Sequence, residues 1–514
     1  MILKLLLLFL AAIAAAVVVL RVLFPLPDLS DRPESTALTT SADTALAQRV
    51  NSVSAEHPGK SGIIPLLNGG DALATRLALA EAAEVSIDAQ YYIWHDDTSG
   101  MLLLDSLWRA AERGVRVRLL LDDNGVPGMD AYLAALNAHE NFEIRLFNPA
   151  TIRSPKGLGY LIDGLRMNRR MHNKSFTVDG ITTVIGGRNI GNEYFQIGQN
   201  NFFIDMDVLA AGPIVGDTLN SFDSYWNARS VFEVESIISG DGDMEAFRTA
   251  ADTARADEDV QPVINTSRSS LAAFLDGRAT MEWTEVRLLA DDPVKGLGKA
   301  TDEQLMISGM TEILRGAERS LDVVSAYFVP GKKGTELFSS LAEDGREVSI
   351  LTNALNTTDH LVVHSGYTKY RRDLLSSGVH LYELKLRGQM LEADFNPHPF
   401  GLSGAALHAK TFAIDEDRIF IGSFNFDPRS VRLNCEMGFL INSPTMAQQL
   451  RDIFEGPLPF VSYQPGLTPR EKMFWREPIE GQELPEIYQE EPGTSWVKQI
   501  TLVVLGILPI EWLL

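Results

Sequence analysis

Two segments of the chain carry nearly the same line of residues, and this repeat limits the folds that the sequence can adopt. The first segment, MHNKSFTVDGITTVIGGRN, covers residues 171–189, and the second, LHAKTFAIDEDRIFIGSFN, covers residues 407–425. In each copy a histidine, His172 or His408, precedes a lysine by two positions and an aspartate by seven. A repeat with so long a period indicates duplication of a whole domain rather than a solenoid of short units.

Helix-like and strand-like patterns alternate around both copies of the repeat. An amphipathic helix pattern at residues 71–84 precedes a buried strand pattern at residues 85–94, and a second helix ends at Gly114 before the strand VRVRLLLDD. The same order recurs in the second half of the chain. Alternation of this kind predicts an α/β fold with a largely parallel sheet that is covered by helices on both faces.

The N-terminus carries an apolar run. Residues 5–20 contain no polar side chain, and Lys4 and Arg21 flank the run. With snorkelling of these two side chains the run reaches roughly the 20 residues that a bilayer span requires. We favour an uncleaved membrane anchor over a cleaved signal peptide, because no small-residue cleavage site follows the run. One positive charge on each side leaves the orientation open.

These patterns divide the chain into six predicted segments. They are an anchor (1–26), a polar tether (27–62), a first lobe (63–230), an acidic inter-lobe connection (231–300), a second lobe (301–465) and a C-terminal extension (466–514). The extension ends in SWVKQITLVVLGILPIEWLL, where Pro509 and Glu511 interrupt the apolar pattern. We therefore interpret this last stretch as an interfacial or docking helix rather than a span.

The spacing within the motif separates the roles of its members. Alternate residues of a strand share a face, so His172 and Lys174 point the same way, as do His408 and Lys410. Asp179 lies at an odd separation from His172, and Asp179-Gly180 is a turn signal between two strand patterns. Asp179 is therefore predicted to fix a turn or neighbouring backbone, and so is its counterpart Asp415.

Polar and basic residues follow each motif in an otherwise acidic chain. The protein has 45 Lys and Arg against 68 Asp and Glu, a net charge of -23, which disfavours nucleic acid as a partner. Asn189 and Asn425 end the two copies, and an amide beside a lysine suits the oxygens of a phosphoryl group. The local basic excess predicts an anionic ligand, with candidate phosphate-binding residues Arg170, Arg188, Ser423 and Arg429.

Each histidine needs an acceptor that holds one ring nitrogen, and a carboxylate does this best. Aligning the strand endings FIDMDVLAAGP and LNCEMGFLINSP places Asp205 opposite Glu436, and we predict this pair as the orienting acids. Asp207, on the same face as Asp205, is the substitute if the register is shifted by two. Cys435, the single cysteine, is expected to face the core.

At this point a resemblance is clear. Two copies of HxKxxxxD, each followed by GxxN, are similar to the phospholipase D superfamily, and RRMHNKSFTVDG, GGRNIGNEYF, GSFNFDPRS, LNCEMGF and LPIEWLL resemble bacterial cardiolipin synthases of the C type. The resemblance implies two lobes related by a pseudo-twofold axis, one active site at their interface, no metal or other cofactor, and a phosphohistidine intermediate. Carried over by motif, the catalytic set is His172, Lys174, Asp179, Asn189, His408, Lys410, Asp415 and Asn425.

The resemblance implies a phosphatidyltransferase at the bacterial inner membrane that uses phosphatidylglycerol as acceptor, with phosphatidylethanolamine as the expected donor. A hydrolytic phospholipase D with the same residues remains the alternative, because water and a lipid hydroxyl differ only in their access to the cleft. A nuclease or an inactive lipid-binding protein is disfavoured by the net charge and by the two intact motifs. The protein partners are left open.

Other candidates are assigned to packing. His360 and His364 have no partner spacing and are predicted to pack or to lie on the surface. Core packing is also favoured over lipid contact for a set of aromatic residues at strand ends: Tyr91, Tyr92, Trp94, Tyr327 and Phe328. The sequence has no HExxH, no paired cysteines and no carboxylate cluster at ligand spacing, so no metal site is predicted.

Overall fold

Two mixed β-sheets, one in each half of the chain, form the centre of the molecule. The computed structural model describes residues 2–38, 41–198, 202–276, 278–358, 360–385, 406–508 and 510–513. The strands are β1 Ser61–Leu66, β2 Ser86–Tyr91, β3 Arg116–Asp122, β4 Phe142–Phe147, β5 Ser175–Val178, β6 Thr182–Gly186, β7 Phe203–Ile204, β8 Asp207–Ala211, β9 Val231–Glu233, β10 Glu282–Thr284, β11 Val286–Ala290, β12 Ser320–Ser325, β13 Glu347–Asn353, β14 His380–Leu384, β15 Ala406–Leu407, β16 Lys410–Ile414, β17 Arg418–Gly422, β18 Met437–Ile441, β19 Ser462–Leu467, β20 Met473–Glu477 and β21 Glu486–Tyr488.

Helices cover both sheets and extend to both ends of the chain. The α-helices are α1 Ile2–Leu23, α2 Ala45–Ser54, α3 Gly69–Ala82, α4 Thr98–Glu112, α5 Asp130–Asn137, α6 Gly157–Met167, α7 Asn192–Phe195, α8 Pro213–Trp226, α9 Val234–Ile237, α10 Met244–Ala256, α11 Gln261–Leu275, α12 Met306–Arg315, α13 Gly331–Glu343, α14 Leu361–Thr368, α15 Arg371–Ser376, α16 Pro428–Arg432, α17 Pro444–Glu455, α18 Leu458–Val461 and α19 Trp496–Ile507. Short 3₁₀ helices cover Asp123–Gly125, Glu258–Val260, Pro293–Leu297, Asp302–Gln304 and Glu511–Leu513.

The two sheets share one topology, which confirms the mixed α/β fold. The strand order is β10-β1-β8-β6-β5-β2-β3-β4-β9 in the first sheet and β11-β18-β17-β16-β12-β13-β14-β19-β20-β21 in the second. The segment β8-β6-β5-β2-β3-β4 therefore corresponds strand for strand to β18-β17-β16-β12-β13-β14. The duplication seen in the motifs extends through this six-strand unit.

The expectation of a largely parallel sheet is wrong in detail. Only β2-β3-β4 and β12-β13-β14 pair in parallel, while the other described pairs in these two sheets are antiparallel. Each motif forms a hairpin, β5-β6 or β16-β17, and a tight turn returns the chain antiparallel. The periodicity of a buried strand does not reveal its direction, because a strand buried on both faces looks the same in either orientation.

The lobes pack on each other through a common apolar cluster. Ile185 and Val208 of the first sheet belong to the same buried cluster as Ile421 and Phe439 of the second. A short parallel ladder between β7 and β15 also joins the lobes. The active-site strands of both halves thus face one interface.

The segments predicted as tether and connection pack against the lobes. In residues 27–62, α2 buries Leu46 and Val50, and α2 packs near α11. In residues 231–300, α10 packs on α4 and α11 packs on α3, while β10 and β11 extend the edges of the two sheets. Their acidic side chains occupy the outer faces of amphipathic helices.

The N-terminal helix α1 is apolar and exposed. Val18, Val22 and Leu23 are each more than half exposed, and α1 contacts α6 of the first lobe. Across the described ranges, none of the helices meets the length and hydropathy that a bilayer crossing requires. The predicted transmembrane anchor is therefore not confirmed.

Candidate active site

His172 stands at the entrance to β5, and its ring is held by the opposite lobe. The His172 backbone N–H donates to the Cys435 carbonyl at 2.8 Å, in a bridge between residues 171 and 435. Its Nδ1 lies 2.7 Å from Glu436 Oε2 and 3.1 Å from the Ser423 carbonyl oxygen. Since both neighbours are acceptors, Nδ1 carries the proton, and Nε2 is left as the reactive nitrogen.

His408 repeats this arrangement with the partners exchanged. Its backbone N–H donates to the Ile204 carbonyl at 2.8 Å, and its Nδ1 lies 2.6 Å from Asp205 Oδ2. Asp205 belongs to the first lobe and His408 to the second. The two acids predicted from sequence are thus at the site, and each serves the histidine of the other lobe.

Both motif lysines are buried beside their histidines. Lys174 Nζ donates to the His172 carbonyl at 2.6 Å and lies 5.5 Å from the centre of the Tyr92 ring. Lys410 Nζ lies 2.8 Å from His408 Nδ1 and 4.0 Å from Asp205 Oδ2. Burial lowers the pKa of Lys174 to about 7, against the opposing effect of Glu436.

The site holds both histidines neutral. Burial, followed by the charges of Lys174 and Lys410, lowers the pKa of His172 well below its usual value. Burial and Lys410 lower the pKa of His408 to about 4, although Asp205 acts in the opposite direction. His408 also contributes to the shift at His172, so the two rings share one electrostatic environment.

The orienting acids differ in their surroundings. Burial would raise the pKa of Asp205, but Lys410 and His408 outweigh burial and the net shift is downward. Burial raises the pKa of Glu436, even though Lys174 and the Ser423 hydroxyl favour its ionised form. Glu436 accepts from Ser423 Oγ at 2.5 Å and from Ser430 Oγ at 2.9 Å. The two halves of the site are therefore not electrostatically equivalent.

The two asparagines support the loops around the histidines. Asn189 Oδ1 accepts from the Ile93 N–H at 3.2 Å, and its Nδ2 donates to Tyr194 Oη at 2.8 Å. Asn425 Oδ1 accepts from the Tyr327 N–H at 3.4 Å. The Asn189 amide thus already has a donor contact, so a phosphoryl oxygen would have to compete with Tyr194 for it.

The two motif aspartates, predicted among the catalytic residues, contact the backbone of neighbouring strands rather than the imidazoles. Asp179 accepts from the backbone N–H groups of residues 84–86, and Asp415 accepts from those of residues 318–320. Both have positive φ, 53° and 56°, at the hairpin turns. Each carboxylate therefore fixes the start of the neighbouring antiparallel strand, β2 or β12, as the parity of the motif predicts.

The four phosphate-binding candidates have different environments. Arg188 donates to the Leu66 carbonyl at 2.8 Å and lies 3.6 Å from Asp207, and Asp207 pairs with Arg76 at 2.9 Å. Arg188 and Asp207 therefore form part of a buried structural network, and Asp207 does not replace Asp205. Ser423 is committed to Glu436.

The other two phosphate-binding candidates are Arg170 and Arg429. Arg170 pairs with Asp122 at 2.9 Å, but its buried Nε and Nη2 have no hydrogen-bond partner among the described residues. Arg429 donates to Asn168, and its charge contributes to the lowered pKa of His172. Arg429 thus adds positive charge near His172, whereas the charge of Arg170 is paired with that of Asp122.

Aromatic rings enclose the two imidazoles. Tyr92 lies edge-on to His172 at 5.0 Å between ring centres. Tyr194 and Phe203 lie 5.1 and 5.0 Å from the ring of His408, and Tyr327 lies 6.5 Å from it. Tyr92 and Tyr327 thus belong to the site wall, whereas Tyr91, Trp94 and Phe328 are buried in the core.

Sequence reasoning missed Tyr194, Phe203 and Ser430. Tyr194 falls in the GNEYF stretch directly after the first motif, and Ser430 falls in the corresponding FDPRS stretch of the second copy. Their positions in matched stretches were a usable signal.

Of the two histidines assigned to packing, His364 is buried and lies 2.7 Å from Glu491, while His360 lies 5.4 Å from the Tyr327 ring.

One group in the described residues has the donor set of a metal site. His95 Nδ1 lies 3.2 Å from Glu193 and 3.9 Å from Asp97, and the three groups could hold a cation. Asp97 already caps α4 by accepting from the Gly100 N–H at 3.0 Å. The loop after β2 brings these three groups together, although they are not at ligand spacing in the sequence.

Comparison with known proteins decides the family. A profile described as "Cardiolipin synthase, PLD-like domain" matches residues 77–226 and 310–457, one match in each lobe. The chain belongs to this family. It is 43% identical over 472 residues to cardiolipin synthase C of Escherichia coli K12, and the alignment covers 91% of this chain and 99% of the relative.

Other relatives agree with this membership. Major cardiolipin synthase ClsA of Bacillus subtilis is 24% identical over 394 residues, covering 76% of this chain and 68% of the relative. Among solved structures, a phosphatidylserine synthase of Haemophilus influenzae superposes on this chain with a TM-score of 0.55 at 14% identity. The superposition covers 91% of this chain and 100% of the synthase chain. The superposition supports the two-lobed fold.

Proposed function

We propose that this protein is a phosphatidyltransferase that makes cardiolipin by moving a phosphatidyl group onto a hydroxyl of phosphatidylglycerol. The observation that carries the proposal is the pair of crossed contacts, His172 to Glu436 and His408 to Asp205. Each contact holds an imidazole through Nδ1 and leaves Nε2 as the nitrogen that would act as nucleophile or general base. The 43% identity to cardiolipin synthase C over nearly the whole chain supports the choice of reaction.

In the first half of the reaction one histidine attacks the donor. We assign His172 as the nucleophile: its Nε2 forms a bond to phosphorus, and the bond from phosphorus to the headgroup oxygen breaks. His408, protonated at Nε2, gives its proton to the departing alcohol. Lys174 and Lys410 offset the charge that builds on the phosphoryl oxygens in the transition state.

The arriving substrate supplies the change in protonation that this step needs. In the empty site burial and the lysines hold the pKa of His408 to about 4. A phosphodiester is an anion, so its binding offsets the lysine charges and raises the pKa of both histidines. General-acid catalysis of this kind contributes typically about 10²–10⁴-fold.

In the second half the roles of base and leaving group are exchanged. The neutral His408 removes the proton from a hydroxyl of phosphatidylglycerol, and the hydroxyl oxygen attacks phosphorus. The bond from phosphorus to His172 Nε2 breaks, cardiolipin leaves, and His408 releases the proton to solvent as the site empties and its pKa returns to about 4. Attack by water instead would give phosphatidic acid, which defines the hydrolytic alternative.

We further propose that the protein acts at the bacterial inner membrane, attached through α1. The lipid substrates reside in a bilayer, and the exposed apolar side chains of α1 suit a hydrocarbon environment. The first lobe contacts α1 through α6. Attachment would keep the cleft close to its substrates.

Lipid mass spectrometry tests the reaction. The full-length protein is reconstituted in vesicles that contain isotope-labelled phosphatidylglycerol, with and without unlabelled phosphatidylethanolamine. We expect cardiolipin with one labelled and one unlabelled phosphatidyl group when both lipids are present, and none from His172→Asn. Phosphatidic acid as the main product would instead establish the hydrolase.

Trapping of the intermediate tests the assignment of the two histidines. A donor with an activated leaving group departs without a proton, so His408→Asn should still accept radiolabelled phosphatidyl groups, while His172→Asn should not. The trapped bond should be acid-labile and base-stable, as expected for a phosphoramidate. Label on His172→Asn and none on His408→Asn would reverse the assignment.

A further inference from the structure

Helix α6 presents an apolar face that no other described element covers. Leu158 is 40% exposed, Leu161 67% and Leu165 70%, while Ile162 and Met167 point into the first lobe. A bend at Asp163 divides the helix, with φ of -143° there. Large leucine side chains left this exposed on a short surface helix indicate a contact surface rather than chance exposure.

This face continues the apolar surface of α1. Arg21 near the end of α1 donates from Nε to the Ile162 carbonyl at 2.9 Å, and Thr151 Oγ1 donates to the Phe24 carbonyl at 3.0 Å. Val22 and Leu23 beside this junction are 74% and 64% exposed. The leucine face and the end of α1 therefore form one apolar region on the first lobe.

The charge around α6 is opposite to that of the chain as a whole. The protein has 45 basic against 68 acidic residues, yet residues 153–170 contain a single acid, Asp163, and a set of basic residues: Arg153, Lys156, Arg166, Arg169 and Arg170. Arg153 and Lys156 lie close to Asp123 and Asp130, and Arg166 pairs with Asp163, which reduces their charge in part. Arg170 is buried against Asp122 and does not reach the surface. An amphipathic helix flanked by cations binds the interface of an anionic bilayer.

The helix also leads directly into the active site. It ends at Met167, a few residues before His172, and Asn168 beyond it accepts hydrogen bonds from Arg429. Tyr160 Oη on the helix donates to Asn124 Oδ1 at 3.1 Å. A lipid bound at α6 is therefore close to the nucleophile side of the site.

We propose that α6 is an interfacial helix: its leucine face inserts into an anionic bilayer and sets the mouth of the active site at the level of the lipid headgroups. This inference rests on the proposed function for the identity of the substrate. The bilayer is favoured over a second protein chain because the apolar face is continuous with α1 and flanked by cations. Phosphatidylglycerol, the proposed acceptor, is itself an anionic lipid.

Fluorescence of the full-length protein in vesicles tests the contact directly. Leu161→Cys and Leu165→Cys are labelled one at a time with bimane, and Thr249→Cys on the exposed, acid-rich face of α10 is the matched control. Cys435 is fully buried, and burial raises the pKa of its thiol to about 12, so it should not compete for the label. We expect a blue shift and quenching by nitroxide lipids at both leucine positions and neither effect at Thr249.

Lipid charge provides a second readout. The blue shift should be larger in vesicles with phosphatidylglycerol than in vesicles of phosphatidylcholine alone, and salt should reduce the difference. A blue shift without vesicles that grows with protein concentration would show that a second copy covers α6 and would overturn the proposal. A label that stays in water in both vesicle types would overturn it as well.

Activity separates the failure of this inference from failure of the proposed function. Leu161→Glu combined with Leu165→Glu should lower the rate on phosphatidylglycerol vesicles at least roughly tenfold, because two apolar side chains no longer enter the bilayer. The rate on monomeric dihexanoyl phosphatidylglycerol should stay within about twofold, and Thr249→Glu should change neither rate. Equal losses on both substrates would contradict the interfacial role. If the unmodified protein converts neither substrate, the proposed function fails, and the bimane signal still decides the membrane contact.

Discussion

The crossed contacts predict that each orienting acid shares the phenotype of the histidine in the other lobe. Asp205→Asn should behave like His408→Asn, and Glu436→Gln should behave like His172→Asn. The reason is geometric, since Asp205 Oδ2 lies 2.6 Å from His408 Nδ1 and Glu436 Oε2 lies 2.7 Å from His172 Nδ1. An amide in place of either carboxylate can turn its NH₂ toward Nδ1 and stabilise the wrong tautomer.

The size of the effect follows from what the carboxylate does. A charge-assisted hydrogen bond contributes roughly 1.5–3 kcal/mol, and loss of the correct tautomer in a comparable histidine–carboxylate pair lowers kcat by about 10⁴. We therefore expect kcat to fall about 10³–10⁴-fold for each single variant, which corresponds to roughly 4–5.5 kcal/mol of transition-state stabilisation. Combining Asp205→Asn with His408→Asn should add little, because both changes remove the same step.

The assay compares overall turnover with formation of the covalent intermediate. Turnover is measured with phosphatidylethanolamine and phosphatidylglycerol in vesicles, and the intermediate is measured with a radiolabelled donor that has an activated leaving group. Asp205→Asn should lose turnover yet keep labelling within about tenfold of the unmodified protein, because an activated group leaves without a proton. Glu436→Gln should lose both.

Asp207→Asn is the matched control, because Asp207 lies two residues from Asp205 but pairs with Arg76 in the core. It should lower the melting temperature and leave kcat within a few-fold at a permissive temperature. The crossed arrangement is refuted if Asp205→Asn matches His172→Asn in the labelling assay, since each acid would then serve the histidine of its own lobe. This comparison does not depend on which histidine is the nucleophile.

Four further predictions concern charge, burial and attachment. Burial lowers the pKa of Lys174 to about 7, so its charge is present below that pH, and kcat/KM should fall as pH rises through about 7. The fall in kcat should come only at higher pH, because the bound phosphodiester stabilises the cation. The same apparent pKa in both pH profiles would contradict this prediction. Burial raises the pKa of Asp427 to about 7, so the ionised carboxylate lowers the free energy of unfolding as pH rises from about 4 to 7. Asp427→Asn should therefore be more stable than the unmodified protein by up to about 4 kcal/mol at pH 8 and no more stable at pH 4. Thermal unfolding at the two pH values measures the difference. Asp179→Ala should cost about 3 kcal/mol in urea unfolding, because three backbone N–H groups lose their acceptor, and should spare kcat at low temperature. Removal of residues 1–27 should leave a folded protein, judged by circular dichroism, that no longer pellets with membranes after a high-salt wash; pelleting unchanged would assign attachment to the remaining chain.

Much of the site follows from the sequence because the repeat provides an internal alignment. The periodicity of a strand sets which residues share a face, so the partnership of His172 with Lys174 and the separate role of Asp179 are readable from spacing. Aligning the two copies on the prolines that begin α8 and α17 also locates Asp205 and Glu436 correctly. These inferences need only local geometry and the comparison of one half with the other.

The contacts between the halves are not readable in the same way. Nothing in the spacing tells that Glu436 approaches His172 rather than His408, because that depends on how two complete sheets pack. Tyr194 and Phe203 reach His408 for the same reason. The direction of strands such as β6 and the packing of α2 likewise depend on tertiary contacts, which composition does not encode.

Each histidine is hydrogen-bonded at two points to the opposite lobe, so the two lobes depend on each other. The residue directly before each acid accepts the backbone N–H of the histidine that the acid orients: Cys435 accepts from His172, and Ile204 accepts from His408. A backbone bond and a side-chain bond from consecutive residues leave the imidazole little freedom to turn. Either lobe alone contains a histidine and an acid, but the acid faces away from its own histidine toward a partner that is missing. Only the packing of the two lobes therefore brings each imidazole to its acid, and the proposed phosphatidyl transfer uses both imidazoles, one for phosphorus and one for the proton.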